Sequence, residues 1–254
     1  MGILAEFNEL RKSIFNWLYV FLAFSGFFFL FGLKEVEIFG TNIFLPLPAA
    51  RSFSSRIFEM LQKDLLPSGV RLIVTNPLAA FLAQCWISAA LAFLVSFPLL
   101  VYKIAGYLSP ALYDKERKAA FKILFPAIVL FAIGCLFGYF VLIPPTFKIL
   151  YSYAQSLGAV QFFSVSEFIG SVFGLAITTG VLFLLPVFMV LLTNLGVVNS
   201  DFWRKNWRYA LLIFLIFSAI ITPDGSGITM LLLSAPMTGL YGAGMLIARI
   251  KNRQ

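Results

Sequence analysis

Two carboxylates stand out as groups able to do recognition chemistry. Glu9 lies in Glu9-Leu10-Arg11, just ahead of the first long apolar stretch. Glu116 lies in the run Ser109-Pro110-Ala111-Leu112-Tyr113-Asp114-Lys115-Glu116-Arg117. A carboxylate accepts paired, charge-assisted hydrogen bonds from a planar guanidinium, so two of them on one membrane face could hold a ligand with neighbouring arginines. Each also has a plainer account. Glu9 can be a carboxylate favouring the N-terminal end of a helix dipole. Glu116 can be a solvated partner of Lys115 or Arg117, in a kind of pair that contributes little.

Groups for bond chemistry are scarce. The chain has no histidine, which removes the commonest general base and metal ligand. Cys85 and Cys135 both sit inside apolar runs, with no disulfide framework and no metal spacing. The expectation is therefore no catalytic residue, no metal site and no cofactor.

The elements that position the two acids follow from composition. Of 254 residues, 61% are hydrophobic and 12% charged, and 30 are Phe; mean hydropathy is +0.94. A soluble domain carries about a quarter charged residues. Lipid is the natural solvent for so much apolar surface. No cleavable signal peptide is evident, because the first apolar stretch is long and no small-residue cleavage site follows it. Six apolar stretches suit crossings of a bilayer, at about 14–33, 78–102, 121–144, 168–192, 205–222 and 227–248. Apart from Lys122, Lys205 and Arg208 near their starts, they carry no Asp, Glu, Lys or Arg. The fifth is short, and the last pair is expected as a tight hairpin turning at Thr222-Pro223-Asp224-Gly225-Ser226-Gly227. Pro98, Pro126, Pro186 and Pro236 fall within spans, where each removes a backbone donor and bends its helix; a curved, open-sided scaffold is inferred.

Charge sets the expected orientation. With both termini in the cytoplasm, 13 of the 19 basic residues lie inside: Arg11, Lys12, Lys103, Lys115, Arg117, Lys118, Lys122, Arg204, Lys205, Arg208, Arg249, Lys251 and Arg253. This positive-inside bias, not nucleic acid, accounts for the net charge of +8. The outer loop over 34–77 is too long for a turn. Within it, Ser52–Leu65 reads as an amphipathic helix, with Phe53, Ile57, Phe58, Leu61 and Leu65 on one face. Trp17, Trp203, Trp207, Tyr151 and Tyr153 lie near span ends, where aromatic rings favour the interface.

Read together, these pieces resemble a known family. Phe7-Asn8-Glu9-Leu10-Arg11 is similar to the Leu-x-Glu-Leu-Arg of the TatC family, the multi-spanning receptor subunits of the twin-arginine protein translocase. Pro98, then Tyr107-Leu108-Ser109-Pro110-Ala111-Leu112-Tyr113 with Glu116-Arg117, resembles its Pro…Phe-x-x-Pro-Gly-Leu-Tyr-x-x-Glu-Arg loop. Phe137-Gly138-Tyr139-Phe140 with Pro144 is similar to its third-span Phe-x-Tyr-Phe…Pro. Gly180, Phe183 and Pro186 resemble its fourth-span Gly-x-x-Phe-Glu-x-Pro. Arg208-Tyr209, Thr222-Pro223-Asp224 and Ala235-Pro236-Met237…Leu240-Tyr241 resemble its C-terminal motifs. The last turn and the long first loop look archaeal.

The resemblance implies an all-α membrane protein of six spans in a cell membrane, which does no bond chemistry. It implies binding of Arg-Arg signal peptides of folded cargo on the cytoplasmic face. It further implies recruitment of TatA/TatB-type single-span subunits, transport driven by the proton-motive force, and a homo-oligomer within a larger complex. Carried over by position, Glu9 and Glu116 would hold the arginines, Tyr107 would lie beside them, and Arg11 and Arg117 would position the acids. Pro67, Tyr139 and Asp224 fall at further functional positions. Leu184 stands where the family usually has a buried acid or amide that contacts partner subunits. Two other readings compete. A small-solute channel or secondary transporter would rely on Ser88, Thr178 and Thr179, residues that more often pack helices. A lipid-acting membrane enzyme has no nucleophile motif to support it.

Overall fold

A computed structural model describes residues 3–38, 41–48, 52–66, 71–74, 76–108, 114–156, 162–194, 196–222 and 227–251. Helices dominate: α1 (Ile3–Leu30), α2 (Phe53–Leu65), α3 (Pro77–Leu108), α4 (Asp114–Phe137), α5 (Ile143–Ser156), α6 (Val165–Phe183), α7 (Leu185–Asn194), α8 (Ser200–Lys205), α9 (Trp207–Ile221) and α10 (Gly227–Lys251). Among the described residues, strands β1 (Phe31–Ile38), β2 (Thr41–Pro48), β3 (Arg71–Ile73) and β4 (Phe162–Ser164) lie between them. Segments 11–30, 78–106, 123–156, 165–194 and 227–249 are helical, and long and apolar enough to cross a bilayer. The sixth apolar helix, α9, has 15 residues. At 1.5 Å per residue it rises about 22 Å, against about 30 Å of hydrocarbon. Of the last two spans α9 is the short one, since α10 has 25 residues.

The chain forms two compact units, residues 1–103 with 160–173, and residues 104–159 with 174–254. In the first unit, β1 and β2 pair antiparallel from Phe31↔Pro48 to Ile38↔Thr41, a hairpin within the stretch expected as loop. Ser52 caps α2: its Oγ accepts from Ser55 N at 3.4 Å. α2 buries Leu61 and Leu65. Phe27 and Phe28 of α1 each pack 5.9 Å from the Phe53 ring, tying α2 to α1. Asn76 starts α3, its Oδ1 accepting from Leu78 N at 3.1 Å with Pro77 in the first helical position. Ser166 Oγ donates to Ala79 O at 3.2 Å, and β4 runs parallel to β3 beside it. Trp17 ties α1 to α3: its Nε1 donates to Ser96 O at 3.2 Å, and its ring meets Phe93 edge-on at 6.2 Å.

The second unit is organised by glycine. A Cβ on Gly134 would lie 2.8 Å from Gly180 Cα, and one on Gly138 2.9 Å from Ala176 Cα. Small residues four apart on both helices thus let the α4 and α6 backbones touch, as membrane helices use such residues to do. Gly244 of α10 lies against Met189 and Pro186 of α7 in the same way. Tyr151 also faces inward, 6% exposed and stacked on Phe147 at 6.1 Å, because the third span continues as helix to Ser156.

The prolines act unequally. Pro98, Pro126 and Pro236 lie inside helices that continue on both sides. Pro186 coincides with a break: α6 stops at Phe183, Leu184 turns, and α7 resumes at Leu185. The adjacent pair Pro144-Pro145 follows a π-turn over Gly138–Leu142, in which Ile143 N bonds to Gly138 O. Two successive missing N–H groups remove the donors that Phe140 and Val141 carbonyls would otherwise meet, and the wider turn starts just before that gap.

Candidate functional site

Glu9 lies about two turns into α1, which starts at Ile3. The helix dipole acts mainly within the first turn, so the plainer account of Glu9 as a helix N-terminal carboxylate does not hold. Glu116 is instead the residue near a helix start, third in α4. Its account as a loop residue gives way to a position on a helix. The side chains of Glu9, Tyr107, Glu116 and Arg117, and all of Pro67 and Asp224, lie outside the described residues.

Arg11 is exposed, its guanidinium carbon 5.5 Å from the Phe15 ring centroid one turn on. A spacing of two puts Glu9 and Arg11 on different faces of α1. Tyr107 sits in the last turn of α3. Glu9 and Arg11 belong to the first unit, and Tyr107, Glu116 and Arg117 to the second.

Tyr139 is in the π-turn, half-exposed, its ring 4.9 Å from Phe140 and edge-on to it. Leu184 is 8% exposed at the α6–α7 break, where its N–H donates to Val181 O and its carbonyl accepts from Phe188 N, each at 3.1 Å. A buried leucine needs no polar partner there, whereas an acid or amide would.

Sequence reasoning missed a hydrogen-bonded relay that holds the basic α8. Tyr241 OH of α10 donates to Trp203 O at 2.7 Å. Trp203 Nε1 donates to Thr193 Oγ1 at 3.0 Å, and that hydroxyl donates to Met189 O at 2.9 Å. The relay joins α10, α8 and α7, and presents Arg204 and Lys205 to solvent. Tyr241→Phe keeps the ring contacts to Trp203 and Phe214 but loses the bond to the carbonyl. It is expected to lower stability by about 1 kcal/mol, read as a lower midpoint of thermal unfolding in detergent.

Ser88 and Thr179, two of the hydroxyls that a solute pathway would rely on, bond within their own helices. Ser88 Oγ donates to Gln84 O at 2.8 Å, and Thr179 Oγ1 to Leu175 O at 2.5 Å. Among the described residues no group of three or more His, Cys, Asp or Glu could hold a metal.

The family model for Sec-independent protein translocase protein (TatC) matches residues 6–236. A TatC protein of Cenarchaeum symbiosum is 38% identical over 97% of this chain and 94% of its own length. The chain belongs to the TatC family. A TatC of Aquifex aeolicus is 30% identical over 80% of the chain and 85% of its own length. A crystal structure of a twin-arginine translocase receptor, TatC, superposes with a TM-score of 0.75 at 27% identity, covering 96% of this chain and 98% of that one. This TatC-family chain is thus a multi-pass, α-helical, six-span component of a protein translocase and not an enzyme. Gly138 and Gly180, two of the motif residues that carried the resemblance, are those at the α4–α6 close approach.

Proposed function

We propose that this chain binds the paired arginines of signal peptides on folded export substrates through Glu9 and Glu116, at the cytoplasmic face of the cell membrane. Tyr107 flanks the pair, and Arg11, Arg117, Pro67, Tyr139 and Asp224 complete the functional set. Both termini are cytoplasmic. The chain assembles as a homo-oligomer with single-span TatA/TatB-type partners, and the proton-motive force drives transport.

One observation carries the reading. α1 extends ahead of the apolar stretch that starts near residue 14, and α4 extends ahead of the one that starts near residue 121. Glu9 and Glu116 both ride on these helical extensions. The first and third crossings of an alternating chain run in the same direction, so their leading ends share one side. The basic-residue count favours the cytoplasm for that side.

The test is photo-crosslinking of the membrane-embedded full chain to a signal peptide bearing Arg-Arg or Lys-Lys. An ammonium cannot reproduce the planar fork of a guanidinium, so the Arg-Arg peptide is expected to label strongly and the Lys-Lys peptide weakly. Equal labelling by the two peptides would sink the assignment.

A further inference from the structure

A cavity of about 370 Å³ lies in the first unit between α2, the first three turns of α3, Val74 and Val165. That volume suits a small ligand group. Its apolar lining includes Ala83, 2% exposed, and Ile87, fully buried. Its polar lining includes Ser55 and Glu59 from α2 and Gln84 from α3.

Gln84 sits seven residues into α3, about 10 Å along the helix, within the span that begins at Leu78. A polar side chain within an apolar span marks a site when its partner can be named. Here one partner is Ser55, whose Oγ accepts from Gln84 Nε2 at 3.2 Å. That bond uses the amide nitrogen and leaves Oε1 without a donor among the described residues. Glu59 lines the same cavity one turn along α2 and forms no ion pair or hydrogen bond with a described residue. The cavity therefore offers a carboxylate and an amide oxygen, both acceptors, beside an apolar wall. Its complement is a cation with several N–H donors on a short aliphatic stem.

We propose that this cavity binds the primary ammonium headgroup of an amino-phospholipid. The ammonium donates to Glu59 and to Gln84 Oε1, while its methylenes lie against Ala83 and Ile87. Lys63, exposed one turn beyond Glu59, supplies a cation for the phosphate. Val74 lines the cavity and is 55% exposed, giving the acyl chains an apolar way out. A lipid is favoured over a polypeptide cation because the cavity lies where α3 enters its apolar span, where lipid is the solvent. A choline headgroup, with no N–H, cannot satisfy the two acceptors. The inference is independent of signal-peptide recognition.

The test is native mass spectrometry of the full chain, released from vesicles of equal parts phosphatidylethanolamine, phosphatidylcholine and phosphatidylglycerol. Retention of phosphatidylethanolamine is expected to exceed that of phosphatidylcholine about tenfold, the equivalent of one charge-assisted hydrogen bond. Glu59→Gln and Gln84→Leu are each expected to bring the two to parity. Glu59→Gln should leave Arg-Arg crosslinking unchanged. Glu59 is exposed, so that variant keeps its fold, checked by circular dichroism, and carries the test alone if Gln84→Leu does not fold. Equal retention by the wild type, or a preference that survives Glu59→Gln, overturns the proposal. So does displacement of bound phosphatidylethanolamine by an equimolar Lys-bearing apolar peptide, which would assign the cavity to a polypeptide.

Discussion

Alanine at Glu116 is expected to weaken binding of an Arg-Arg signal peptide by about two orders of magnitude, within the ~2–5 kcal/mol that loss of one partner costs a desolvated charge pair. The effect has two parts. The guanidinium loses a bidentate acceptor, and it is left facing the remaining acid alone. Glu9→Ala should act in the same direction. If the two acids grip adjacent arginines as a unit, the double variant costs less than the sum of the single ones. Raising salt should weaken wild-type binding more than binding by either alanine variant, because fewer charge pairs then remain to be screened. Fluorescence anisotropy with a labelled peptide at two salt concentrations reads all three outcomes. Additive losses with identical salt slopes would separate the two acids into unrelated sites.

Leucine at Gly180 is expected to disrupt the second unit, at a cost of about 3 kcal/mol or more. Even the first added carbon would lie 2.5 Å from Cys135 Sγ and 2.8 Å from the Phe131 ring. The reciprocal change, Gly134→Leu, meets the Gly180 backbone at 2.8 Å, which no rotamer can relieve. Gly170 and Gly174 lie on the same helix as Gly180 with nothing within 4 Å of an added carbon. Alanine there should be neutral or slightly stabilising, since it raises helix propensity. Size-exclusion profiles after graded heating in detergent should rank the variants in that order. A Gly180→Leu protein as heat-resistant as the wild type would show that the two backbones do not touch.

The elements legible in the sequence are those with one dominant physical signal. The spans follow from apolar length, and α2 from the period of its apolar face. The β1–β2 hairpin was hidden because Pro46 and Pro48 argue against a strand, although on an outer edge neither need donate to its partner. The prolines differ in their effect on the helices. Pro98, Pro126 and Pro236 are carried through unbroken helices, while interruptions fall at Pro186 and before Pro144-Pro145. For the candidate site, residue types and order were readable, and the helix bounds then moved Glu9 away from a first turn and Glu116 from a loop onto a helix. The Tyr241 relay could not be read, because it joins side chains and carbonyls from three helices that no local spacing connects.

The widened turn at Gly138–Leu142 has a consequence for comparing this chain with its kin. It holds about one residue more than an ordinary turn, which advances the azimuth of everything beyond it by about 100°. Phe147 and Tyr151, both buried, lie beyond that slip. A relative lacking the extra residue would stay in step up to Leu142 and then point a different stripe at its neighbours. An alignment that places no gap there would match residues by number while their directions disagree.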